Sequence, residues 1–332
     1  MKTTKLLVGD IGGTNIRLAV FSYVNGELKL EREDKKPLAQ AGSFIEVAAG
    51  FLQDQEEVEQ ACFAVAGTIL GRRVKVTNAS WVLDAGEIEK TLGISKVDLI
   101  NDISAIAYLI PALKAKDYIE LNPGEALDQS PIGIVAPGTG LGEGIMFWAE
   151  DGYHAVASEG GHADFAPVNA LQVELYDHLA QKFGHVSYER ICSGIGVKNI
   201  YDFLVESGRF PEPDWLGKAL QGHDDPAAVI FEAAQDADKE CKLCECVVDL
   251  FVDVLAAESG NMALKILARG GIYIGGGIPP RITAKLEERF MKSFIHKGRF
   301  GEFLHKVPVK VIMHPNAGLY GAANYAAMRI AK

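Results

Sequence analysis

Two stretches of this sequence share one design. "LLVGDIGGTNIRLAVF" (Leu6–Phe21) and "IGIVAPGTGLGEGIMFW" (Ile132–Trp148) both run from an apolar strand pattern through a glycine-rich turn into a second strand pattern. Gly138-Thr139 matches Gly13-Thr14 at an offset of 125 residues. A pattern that restarts at this distance points to two related halves, each opening on a hairpin, with the two hairpins facing each other. Glycines let backbone N–H groups approach an anion and form a concave nest, and Thr14 adds a hydroxyl donor. Neither stretch is the GxxxxGK[ST] of a P-loop, and each returns to a strand instead of opening a helix. A plain hairpin turn is the alternative for Asp10–Asn15. An acid, two glycines and a Thr-Asn pair exceed what such a turn needs.

Around these stretches, strands are predicted at Lys5–Val8, Ile16–Tyr23, Leu28–Arg32, Ala61–Ala66, Val74–Thr77 and Val97–Ile100, with helices over 42–52 and 86–92. "VNGEL" carries an Asn-Gly hairpin turn, so the first three strands read as an antiparallel meander. The later strands are short continuous apolar runs, as in buried parallel sheets. The second half turns mostly helical, over 169–183, 187–204 and 226–267, the last begun by Asp225-Pro226. "GGIYIGGGIPPR" is a strand ending in three glycines, and a final helix from about Asn316 is entered through Gly318 and Gly321. The expected fold is α/β. The expected domains are 1–112 with about 315–332, the tail returning to the first domain, and 113–314.

Composition narrows the function classes. The chain has 332 residues, 48% apolar and 23% charged, as in an ordinary globular protein of two domains. A net charge of −11 argues against a nucleic-acid partner, whose phosphates need a basic surface, and gives no support for an anionic membrane. No apolar run reaches the roughly 18 residues of a spanning helix. "MKTTKLLVGD" has too short an apolar stretch for a signal peptide, so a cytoplasmic location is expected. The five cysteines are an odd number, which suggests reduced thiols. Three lie in "CKLCEC" (Cys241–Cys246), inside a helical pattern that does not point all three sulfurs one way. Packing in a helix is expected there, not zinc.

Asp10 cannot bind a phosphate itself, because like charges repel. A Mg²⁺ between them resolves this, since Mg²⁺ favours carboxylate, water and phosphate oxygens. In "LINDISA" (Leu99–Ala105), Asn101-Asp102 ends a strand and opens a helical pattern, at the sheet edge where open α/β sheets bind ligands. Asp102 as a helix N-cap is the alternative. "SEGGHADFAP" sets Glu159 and His162 three apart around two glycines, and "SYER" supplies Glu189. Carboxylates and an imidazole suit a neutral polyol. A buried core histidine at 162 and surface charges at Glu189 and Arg190 are the alternatives.

Asp-x-Gly-Gly-Thr-Asn-x-Arg after an apolar strand resembles the first phosphate loop of the sugar kinases in the hexokinase/actin/heat-shock ATPase superfamily, most closely the bacterial glucokinases that lack the zinc motif. The resemblance continues through "LINDISAIAYLIPAL", "GTGLGEG", "SEGGHADFAP", "YERICSGIGVKNIY" and "GGIYIGGGIPPRI", in family order across nearly the whole chain. It implies two RNase H-like, actin-like ATPase domains with the active site in a cleft between them. It implies ATP-dependent phosphorylation of the 6-hydroxyl of glucose, with Asp102 as general base and Asn78, Asn101, Glu159, His162 and Glu189 on the sugar.

By the same resemblance, Gly12, Gly13, Thr14, Asn15, Gly138, Thr139 and Gly140 hold the phosphates of ATP. Gly275, Gly276 and Gly277 line the adenosine site, and Asp10 carries Mg²⁺ through water. Zinc-containing relatives follow their histidine with a cysteine cluster; here "ADFAP" follows His162. In Ala66-Gly67-Thr68 the proline that the family often places after this glycine or one residue on is missing. A homodimer is also implied. A kinase of another hexose or amino sugar, or a non-enzymatic sugar-sensing regulator, is the competing reading. Such regulators carry an N-terminal helix-turn-helix, whereas a strand starts here at about residue 5.

Overall fold

In a computed structural model that describes residues 3–52, 57–77, 79–150 and 152–330, strand β1 (Thr4–Ile11) is walled on both faces. Leu7 and Ile11 enter one core; Leu6 and Val8, a residue out of phase, enter another. Each fully buried leucine contributes about 1.5–3 kcal/mol. Strands β2 (Asn15–Val24) and β3 (Glu27–Pro37) complete the antiparallel meander. Its second turn is Asn25-Gly26, with φ of 54° and 86°, the left-handed pair that an Asn-Gly hairpin requires.

Helix α1 (Phe44–Leu52) leads to β4 (Gln60–Val65), parallel to β1. A separate small sheet of β5 (Ile69–Leu70), β6 (Arg73–Lys75) and β7 (Val82–Asp84) follows, then α2 (Ala85–Leu92), β8 (Lys96–Asn101) and α3 (Asp102–Leu109). The main sheet runs β3-β2-β1-β4-β8. The strand predicted at Val74–Thr77 is therefore β6 of the small sheet. Only its Val74 is buried, so it has no second face to bring to a central position.

The second sheet is built from β9 (Tyr118–Asn122), β10 (Ile132–Pro137), β11 (Leu141–Ala149) and β12 (Gly152–Ser158), joined later by β13 (Gly271–Ile274) and β14 (Val309–Ile312). Its order is β12-β11-β10-β13-β14-β9. Without β9, order and strand sense match the first sheet. The repeat visible in the glycine turns thus extends to the sheets.

Between β12 and β13 lie α4 (Ala170–Phe183), α5 (Gly194–Glu206), α6 (Asp214–Leu220), α7 (Pro226–Gln235) and α8 (Lys242–Ile266); α9 (Thr283–Phe294) and α10 (Gly301–His305) precede β14. The single helix predicted over 226–267 is two. Asp236 folds back to accept from the Asp238 N–H at 2.9 Å, an Asx turn that competes with the helix. Cys241 then stands at the N-cap of α8 rather than inside a helix. The helix predicted over 187–204 is likewise a 3₁₀ turn (Tyr188–Arg190) followed by α5, which Ser193 caps through the Gly196 N–H at 3.1 Å.

The chain closes with α11 (Ala317–Ile330). The chain divides into two compact units, Met1–Lys114 with His314–Lys332, and Ala115–Met313. Gly318 lies in the first turn of α11, as expected, and Gly321 lies further within it. A side chain on Gly321 would fall 1.7 Å from the Ala105 carbonyl, so this glycine lets α11 lie directly on α3. Among the described residues all five cysteines are free, no group of three or more His, Cys, Asp or Glu could hold a metal, and no helix is long and apolar enough to cross a membrane.

Candidate active site

In the first unit, β1 delivers Asp10 to the edge of the sheet. Gly9 before it has no room for a side chain, with the Phe63 ring 2.7 Å from where Cβ would stand. The turn Gly12–Thr14 is pinned at both ends: the Gly12 N–H donates to the Asn15 carbonyl at 3.0 Å, and the Leu38 N–H to Thr14 at 2.9 Å. Asn15 Nδ2 donates to Thr14 Oγ1 at 3.0 Å. Thr14 is exposed. A methyl on Gly12 would meet nothing nearer than 3.7 Å, so packing does not explain the glycine, and the backbone stays open to approach.

Asp10 is partly enclosed, and burial raises its carboxyl above the ordinary value, with Arg17 opposing. Arg17 sits across the ladder from Asp10, tied to Glu33 at 3.0 Å and to Asn316. The first turn of α11 approaches from the other side: a side chain on Gly318 would come 2.8 Å from Asp10 Oδ2. A helix N-terminus favours an anion there.

Two strands along the same edge stand Asn101 and Asp102. Val65 is in register with both Ile11 and Asn101, which sets these ends about 10 Å apart at the usual strand spacing. The N-cap of α3 is Asn101, whose Oδ1 accepts from the Ile103 N–H at 2.8 Å; Asp102 is the first helical residue and accepts from the same N–H at 3.0 Å. The N-cap reading of Asp102 is corrected accordingly. Asn101 Nδ2 reaches the Gly67 carbonyl at 3.3 Å. Gly67 must be glycine, since a Cβ would lie 2.4 Å from the Lys75 carbonyl. Asn78 lies outside the described residues, and Trp81 packs half-buried against the first core.

In the second unit, Gly138, Thr139 and Gly140 form the turn between β10 and β11, closed by the Gly138 N–H to the Gly140 carbonyl at 2.8 Å. Of the three glycines after β13, Gly275 and Gly276 lie against the end of β10 that leads into this turn. Gly276, at φ 84°, would place a side chain 2.3 Å from the Pro137 carbonyl, and the Gly275 N–H donates to Val135 at 2.9 Å. Gly277 has open space around it.

Glu189 joins this turn to the other acids. Its Oε2 accepts from the Leu141 N–H at 3.0 Å, and its Oε1 lies 3.8 Å from His162 Nδ1. His162 Nε2 lies 4.0 Å from Glu159. His162 is 60% exposed, so the core-histidine alternative does not hold. Glu189 is 32% exposed and bonded to backbone, unlike a solvated surface charge. Arg190 turns away to stack on Phe183 at 4.1 Å. Glu159, His162, Glu189 and both glycine segments therefore come together in one unit, while Asp10, Gly12–Asn15, Asn101 and Asp102 share an edge in the other.

A sequence model of the glucokinase family matches residues 7–329. A glucokinase of Nostoc punctiforme is 38% identical over 98% of this chain and 99% of its own. The chain belongs to the glucokinase family. It is thus a sugar kinase by descent. The crystal structure of a glucokinase from an Antarctic psychrotroph superimposes with a TM-score of 0.83 at 31% identity, covering 97% of this chain and 98% of that one. A ROK-family glucokinase from Streptomyces griseus, solved with glucose and AMPPNP, shares the fold at a TM-score of 0.64 and 19% identity, covering 98% and 99%. The fold is the two-domain actin-like ATPase fold of these sugar kinases. Sequence reading missed Gly318 beneath Asp10 and the bond from Glu189 to Leu141. Gly318 looks like an ordinary helix glycine, and no spacing signals a contact between residues 48 apart.

Proposed function

We propose that this chain transfers the terminal phosphoryl group of ATP to the 6-hydroxyl of glucose. The observation that carries this reading is the placement of Glu189, which faces His162 and Glu159 with one oxygen and holds the second glycine turn with the other. Groups for a polyol and groups for a polyphosphate are thereby fixed to each other. Asp102 accepts the proton of the attacking hydroxyl, and Asn101, Glu159, His162 and Glu189 orient the remaining hydroxyls. Asn78 is assigned to the sugar with them. The backbone of Gly12–Asn15 and Gly138–Gly140 receives the phosphates, and Gly275–Gly277 leaves a flat surface for the purine. The two compact units are the two domains of the kinase.

Asp10 fits Mg²⁺: it is a hard oxygen donor whose burial opposes ionisation, and a cation offsets that cost. Bound there, Mg²⁺ supplies charge neutralisation on the phosphates. A homodimer is the assembly that the resemblance implies. An assay of ADP formation with Mg-ATP, run with glucose, mannose, fructose, glucosamine and no sugar, tests the reading. Glucose-dependent ADP release, with product phosphorylated at the 6-position, is expected. Equal turnover without sugar defeats the kinase reading, and activity on another sugar alone moves the substrate to that sugar.

A further inference from the structure

Beneath the sugar-side turn of the second unit lies a carboxyl group that the reaction above does not use. Glu143, on β11, is only 3% exposed, and its Oε1 has no hydrogen-bond partner. Its neighbours in the sheet are Val135 and Ser158. Its Oε2 lies 2.1 Å from the point where Gly160 would carry a Cβ, so the carboxyl occupies the space that the glycine leaves. Gly160 stands between Glu159 and His162, and its N–H donates to Ser158 Oγ at 3.2 Å. Gly161 is equally confined, its missing Cβ 2.1 Å from the Leu141 carbonyl.

We propose that Glu143 is a positioning residue for the sugar: its buried carboxyl, seated against Gly160, holds the turn that presents Glu159 and His162. This inference rests on the sugar-kinase reading and extends it.

The groups facing Glu143 explain how it is held. From α8, Glu258 repels its charge and Lys265 attracts it. Glu258 is itself fully buried, with Lys265 Nζ at 3.2 Å on one oxygen and Asn261 Nδ2 at 2.8 Å on the other. Asn261 also reaches the Tyr188 hydroxyl at 3.0 Å, next to Glu189. Cys192 feels both glutamates, and Lys297 faces Glu258. Glu159, His162 and Glu189 carry the charge on the turn above. Glu258 is held by Lys265 and Asn261, whereas Glu143 Oε1 has no hydrogen-bond partner, so the proton belongs on Glu143. Burial first, and Glu258 second, push its carboxyl up to about 7. Above that pH a second buried charge beside Glu258 drives the carboxyl out of its seat, and the turn loses its support.

The test measures KM for glucose and kcat at saturating Mg-ATP from pH 6 to 8.5 for wild type and Glu143→Gln, with a double-mutant cycle of Glu143→Ala and Gly160→Ala. The amide mimics the neutral acid and keeps the fold. The wild-type KM should rise about threefold or more through this range, while that of Glu143→Gln stays within about twofold, with kcat little changed in both. Other groups titrate alike in the two proteins, so only the difference between profiles is read. Gly160→Ala, which collides with the carboxyl, should raise KM about tenfold, and adding Glu143→Ala should recover most of it. Parallel pH profiles together with additive mutants, in a wild type that phosphorylates glucose, would overturn the positioning role alone. No glucose-dependent turnover in wild type would overturn the sugar-kinase reading and this role with it.

Discussion

The turn after β1 and the turn after β10 hold the same place in sheets of the same strand order, yet glycine serves them differently. Around Gly12 there is free space, and the turn rests on a carboxylate, Asp10, with the first turn of α11 against it. Gly138 is likewise open, but a side chain on Gly140 would lie 2.4 Å from Glu189, and Gly276 is pressed onto Pro137. The first turn is open to a ligand and backed by charge. The second is packed from behind and coupled to the sugar-side acids. A repeated motif therefore marks repeated architecture, and the neighbours of each copy decide its chemistry.

The comparison is sharpened most by removing the charge under the first turn. Asp10→Asn keeps the shape, and kcat/KM for Mg-ATP should fall about 10²–10³-fold, the scale of losing a charge-stabilising group. A Mg²⁺ titration of the two proteins checks this; a near-normal rate would reduce Asp10 to a packing residue. In the second unit, beneath the turn that carries Glu159 and His162, the expected effect is on stability. A Glu143 carboxyl raised from 4.5 to about 7 favours the folded state only while protonated. Its contribution therefore declines as pH rises from about 4.5 to 7 and is flat above, by up to about 3 kcal/mol. Urea unfolding at pH 5 and pH 8 should show that decline in wild type and not in Glu143→Gln.

Smaller effects separate the turns themselves. Gly140→Ala should displace Glu189 and raise KM for glucose about tenfold, a loss of roughly 1.4 kcal/mol in binding. Gly12→Ala meets no clash, so stability should stay within about 0.5 kcal/mol while KM for Mg-ATP rises a few-fold and that for glucose does not. Steady-state kinetics in both substrates decides. Equal effects of the two alanines on both substrates would break the distinction.

What the sequence announces follows from these physical differences. Buried two-faced strands such as β1, the Asn25-Gly26 hairpin and both glycine turns carry local signals, and they are found where the pattern places them. Edge strand β12 alternates between partly buried and exposed residues, so its sequence "GYHAVAS" lacks the apolar run that marks β4 or β10. The break between α7 and α8 is marked by the Asp238 N–H donating to the Asp236 carboxylate, inside an otherwise helical pattern. At the site, acids and glycines are legible as residue types. Their contacts are not: Glu189 on Leu141, Gly318 on Asp10 and Glu143 under Gly160 each join residues of different elements.

Asp102 at the start of α3 is the group on which the proposed chemistry turns. The most direct measurement is therefore Asp102→Asn, with glucose binding and phosphoryl transfer followed on the same preparation. The amide still fits the first helical position and still hydrogen-bonds a hydroxyl, but it cannot take a proton. Glucose binding within about tenfold of wild type, with kcat reduced about 10³-fold or more, is the expected result. A kcat within tenfold of wild type would show that another group accepts the proton, and the assignment of Asp102 as the base would be wrong.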